Sequence, residues 1–85
     1  MGFNITDPTT QLCEEMVRLI EAAIPESSAQ VQGNGGHFEI SVSAAAFDGK
    51  SMLAQQRLVY GAITHLMAGD NAPVHAIDRM NIAIP

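Results

Sequence analysis

The chain has 85 residues, of which nine are acidic and four basic, giving a net charge of -5; 47% of positions are apolar and one is cysteine. This size allows one domain with a small core, and the acidic balance repels phosphate backbones and anionic lipid. A single thiol, Cys13, excludes an internal disulfide framework and any all-cysteine metal site within one chain.

Residues 1–7 are expected to be a flexible start to one domain that fills the chain. Gly2 with Thr6 satisfies a short N-myristoylation pattern, set aside because no polybasic or second lipid signal follows it. Asp7-Pro8 then opens a helix, since the carboxylate accepts from free first-turn amides and proline is pre-shaped for the first helical position. Leu12, Met16, Leu19, Ile20 and Ala23 recur at helical spacing, with Cys13, Val17 and Ile24 widening the stripe, so the first helix spans about residues 8 to 24 and stops at Pro25. Cys13 on the flank of that stripe reads as a small buried hydrophobe.

A short strand, Ala29 to Gln32, is expected next, then Gly33-Asn34-Gly35-Gly36 as a hairpin connection. His37 to Ser43 alternates strictly, with Phe38, Ile40 and Val42 on one face and His37, Glu39, Ser41 and Ser43 on the other. Gly33 to Gly36 also spells GxxG, the phosphate clamp of KH domains, but that turn belongs between helices and here falls between strands. Phe47 to Lys50 reads as a turn and Ser51 as the cap of a second helix. In it Met52, Leu53, Gln56, Val59, Tyr60, Ile63, Leu66 and Met67 follow the 3.6 period, ending near Ala68 with Gly69 in the left-handed position. His65 falls near that end as a capping or surface histidine. Val74 to Ile77 and Met80 to Ile84 form a last strand whose apolar phase changes across Asp78-Arg79, which one extra residue in a β-bulge reconciles.

This order describes an α+β domain of two layers: a three-stranded mixed sheet covered by helices on one face. The glycine-linked strands are antiparallel, and the last strand, reached through a helical crossover, runs parallel to a neighbour. No apolar run approaches the length that spans a bilayer, and no basic start with an apolar run marks a secretory leader. A reducing, cytoplasmic setting is expected.

No elbow serine, paired catalytic carboxylates, P-loop or dinucleotide fingerprint is present, so no enzymatic activity is expected. Two histidines stand where strands begin after loops: His37 behind Gly35-Gly36, and His75 two residues after Pro73. Imidazole is a borderline ligand for iron, zinc and copper, and two imidazoles supply half of a tetrahedral shell. On spacing alone, hydrogen-bonded or solvated histidines are the more frequent outcome.

The blocks His37-Phe38-Glu39-Ile40-Ser41-Val42, Phe47-Asp48-Gly49-Lys50-Ser51, Gln56-Arg57-Leu58-Val59-Tyr60 and Val74-His75-Ala76-Ile77, with a closing proline, resemble the BolA family in order and spacing across roughly residues 10 to 85. The resemblance implies the αββαβ architecture related to class II KH domains. It also implies an adaptor that partners a monothiol glutaredoxin and shares a 2Fe-2S cluster with it and glutathione, in cluster trafficking, iron homeostasis or stress response. No cofactor is expected in the isolated chain, and a homodimer is a possible assembly. The family's C-terminal His-Ala pair carries a cluster ligand, which corresponds here to His75. Its second ligand is a cysteine or histidine of the loop between the first two strands; His37 is the candidate by position, which is similar to the histidine-type branch. Two imidazoles on one iron, with a glutaredoxin cysteine and a glutathione thiolate on the other, make a Rieske-like split that raises the potential relative to four thiolates. The alternative function is a DNA-binding regulator of stress or morphology genes, with Lys50 and Arg57 as its nucleic-acid contacts. Gln55-Gln56-Arg57 stands where many relatives carry Arg-His-Arg, and the tail after His75 is one residue longer than usual; both weigh against that role, as does the net charge.

Overall fold

The computed structural model describes residues 7–85. The flexible start expected at residues 1–7, and the Gly2 and Thr6 pattern with it, fall outside the described residues except for Asp7. Asp7 caps α1 (Pro8–Ala23): its carboxylate accepts from the Thr10 amide at 2.7 Å, and this backbone hydrogen bond is the chief cause that holds its carboxyl below the usual value of 3.8. Ile24 closes the helix and Pro25 follows, so the helix ends one residue before the expected boundary.

Strands β1 (Ser28–Asn34) and β2 (His37–Ser43) form an antiparallel hairpin. The expected strand was too short. Gly33 and Asn34 pair with Phe38 and His37, which reduces the connection to Gly35-Gly36, both at positive φ as a tight two-residue turn demands. A 3-10 turn (Ala45–Phe47) then leads into α2 (Met52–Met67), which starts where the Ser51 hydroxyl accepts from the Ala54 amide and stops at Ala68, with Gly69 at φ +92°. The last strand, β3 (Ala76–Ala83), pairs parallel with β2 in a sheet ordered β1-β2-β3. Phe38 opposes Ile77 and Glu39 opposes Arg79, so Asp78 is the extra residue of a bulge and Ile77, Met80 and Ile82 all turn to the covered face.

The core forms between the helices and one face of the sheet. Met16, Ile20 and Ile24 from α1, Phe38, Ile40 and Val42 from β2, Phe47, Val59 and Ile63 from the second half, and Val74 before β3 are all buried. Each such side chain contributes roughly 1.5 to 3 kcal/mol of hydrophobic stabilisation against the entropy of ordering it. The expected α2 stripe is corrected at its start: Met52 is 72% exposed and Leu53 56%, while Tyr60 lies on the exposed flank. Met52 shares a helical face with Val59 seven residues on, so its exposure means that the first turn of α2 overhangs the edge of the core.

Candidate functional site at the rim of the parallel strands

Parallel strands begin at the same end of a sheet, and the β2–β3 register sets His37 opposite Ala76, the residue after His75. Both histidines are exposed and occupy one rim. His75 stands just before β3, not within it as its block suggested, and is fixed from both sides. Val74 is fully buried and its amide donates to the Leu66 carbonyl at 3.1 Å, tying the segment to the end of α2. The Gly36 carbonyl accepts from the amides of His75 at 2.8 Å and Ala76 at 3.0 Å. The imidazole of His75 lies directly over Gly36: a Cβ there would fall 2.8 Å from its Cγ. Among the described residues no side chain hydrogen-bonds that ring.

His37 has a different environment. Its Nδ1 lies 3.1 Å from Oδ1 of Asp78. A carboxylate only accepts, so the ring donates through Nδ1–H and leaves Nε2 open. The ring borders a shallow groove of about 380 Å³ on the polar face of the sheet, lined also by Gln32, Asn34, Glu39 and Asp78. Gly36, which carries the His75 ring, borders instead an open groove of about 480 Å³ beside Pro8, Leu12 and Pro73 at the start of α1. The His37 ring and the Gly36 backbone under the His75 ring thus border different grooves.

This donor set suits a shared metal group in kind: two exposed imidazoles, one with its second nitrogen already hydrogen-bonded to a carboxylate. Among the described residues no three His, Cys, Asp or Glu side chains converge as a metal site. Cys13 is half-buried on α1, where burial pushes its thiol above the usual range, and it takes no part in the rim. His65 is exposed in the last turn of α2. Lys50 and Arg57 are also exposed; the Lys50 carbonyl accepts from Gln55 Nε2 at 3.2 Å, and that amide also donates to Phe47 at 2.9 Å, tying the turn to α2. Sequence reasoning singled out both histidines and treated Asp78, which meets the His37 ring, only as the position of a phase change.

A family model described as BolA-like protein matches residues 14–81. The chain belongs to the BolA-like family. A BolA protein homologue from Coxiella burnetii is 30% identical, with a TM-score of 0.66 over 82% of this chain and 87% of its own. The XC975 protein is 38% identical, with a TM-score of 0.61 over 86% and 88%. Yeast Fra2 is 27% identical, with a TM-score of 0.63 over 94% of this chain and 82% of its own. The two helices and three-stranded mixed sheet are thus a BolA fold, and no helix among the described residues is long and apolar enough to cross a membrane.

Proposed function

We propose that this BolA-like protein is a non-enzymatic adaptor of a reducing compartment that shares a 2Fe-2S cluster with a monothiol glutaredoxin and glutathione, contributing His75 and His37 to one iron. The cluster is cargo, held between partners. The observation that carries the reading is the parallel pairing of β2 and β3, which leaves two exposed imidazoles on one rim. Two ligands do not fill a tetrahedral shell, so a metal bound at this rim must take the rest from another molecule, and an accessible edge permits that. His75 is the better-held of the two, set by the buried Val74 on one side and the Gly36 backbone on the other.

The test is anaerobic mixing with a glutathione-loaded monothiol glutaredoxin that carries the cluster, followed by visible absorption and circular dichroism. The wild-type chain should change the cluster spectrum. His75→Ala should abolish the change while its amide spectrum stays folded, since the ring is exposed and outside the core. An unchanged response in that variant removes His75 as a ligand.

A further inference from the structure

The bulge in β3 leaves Asp78 without an opposing residue in β2, because Phe38 pairs with Ile77 and Glu39 with Arg79. Its carboxylate meets His37 instead, with Oδ1 at 3.1 Å from Nδ1. We propose that Asp78 is the positioning residue of the rim: as the extra residue of the bulge, it holds the His37 imidazole with its hydrogen on Nδ1 and Nε2 bare, the form in which the ring takes a metal. The inference rests on the cluster-sharing reading and deepens it at one residue.

Three observations carry it. The contact is not a core device: the two side chains are 58% and 55% exposed, and exposed pairs of this kind contribute little to folding. The other carboxylate of the same groove is already used, since Glu39 Oε1 accepts from Gln32 Nε2 at 3.3 Å, which leaves Asp78 to address the histidine. The chemistry matches what metal-binding histidines need, a carboxylate on the far ring nitrogen that fixes tautomer and ring orientation and raises the basicity of the ligating nitrogen. His75 has no such partner among the described residues; its ring is set by contact with Gly36. One imidazole is therefore held by packing and the other by a hydrogen bond.

The test has an apo and a loaded arm. In the apo chain, long-range 1H–15N correlation of the histidine rings reports the tautomer of His37. The wild type should show the Nδ1–H form in excess, and Asp78→Ala should move it toward the Nε2–H form while the amide spectrum stays folded. In the loaded arm, the lifetime of the cluster shared with the glutaredoxin should shorten about 10-fold in Asp78→Ala, the lower end of what removing such an outer partner costs. Adding Asp78→Ala to His37→Ala should cost nothing further, because the carboxylate acts through that ring. An unchanged tautomer in Asp78→Ala, or the same loss of lifetime in the His37→Ala background, overturns the proposal. If the wild type shares the cluster, His75→Ala abolishes sharing and His37→Ala leaves it intact, the proposal falls together with His37 as a ligand, while cluster sharing through His75 stands. If the wild type takes no share in the cluster, both fall.

Discussion

At the scale of single residues, the two glycines of one turn answer to different constraints. Gly35 sits at φ +61° with nothing within 4 Å of an added Cβ, so Gly35→Ala costs only the left-handed backbone, about 1 to 2 kcal/mol. Gly36, at φ +83°, carries the same kind of backbone penalty and a second one, because its new methyl group would lie 2.9 Å from Nδ1 of His75 and force the ring away. Both substitutions should lower stability in chemical denaturation. Only Gly36→Ala should move the His75 ring resonances and weaken cluster sharing, and equal effects on His75 from both variants would show that the turn, not the Gly36 contact, sets the ring. The position of His75 was legible in sequence from the Val74-His75-Ala76 block. Its packing on Gly36 was not, because a glycine's need for space beside a distant ring leaves no trace in local spacing.

At the scale of elements, the ends of α1 and β3 illustrate how far pattern carries. The Asp7 cap was readable from Asp-Pro, and its chemistry has a pH consequence. Because the Thr10 hydrogen bonds depress the folded-state pKa, the cap contributes its full stability well above the unfolded value of 3.8 and loses it as pH falls through the lower folded value. The melting temperatures of the wild type and Asp7→Ala should therefore differ at neutral pH and converge as pH drops below 3.8 toward the depressed value; a gap that persists in strong acid would assign the effect to something other than the carboxylate. The bulge was legible too, since an odd Ile77 and even Met80 and Ile82 can share a covered face only with one residue to spare. Deleting Asp78 should leave a regular parallel ladder with the same residues facing the core, folding cooperatively with stability changed by about 1 kcal/mol or less. Loss of the β2–β3 amide pattern in that variant would show that the bulge is needed for the sheet itself. Two elements misled the reading for physical reasons. Gly33 and Asn34 have turn propensity, but pairing with β2 overrides it. The α2 periodicity reports the phase of a stripe and not where the sheet beneath it ends, so Met52 and Leu53 looked buried and are exposed.

At the scale of the whole molecule, the α+β fold does not come with the electrostatics of a nucleic-acid binder. The four basic residues are Arg18 on α1, Lys50 in the turn before α2, Arg57 on α2 and Arg79 on β3. They belong to separate elements, and nine carboxylates outnumber them. Phosphate contacts release counterions, and log K against log salt falls by about 0.9 per phosphate neutralised on duplex DNA. If Lys50 and Arg57 were the only two contacts, the slope would be no steeper than about -2, far short of what a dedicated electrostatic binder shows. The expected outcome in an anisotropy titration against duplex DNA is weak binding that fades between low and physiological salt and shows no preference among sequences. Lys50→Ala and Arg57→Ala should each reduce the small residual affinity at low salt without touching the response to a cluster-loaded glutaredoxin. Submicromolar, sequence-selective binding at physiological salt, independent of cluster loading and lost in those two variants, would instead place the function on the turn before α2. The rim histidines would then be bystanders, because the same fold would be reading phosphates with the start of α2, the opposite end of that helix from the Leu66 carbonyl that holds Val74 beside His75.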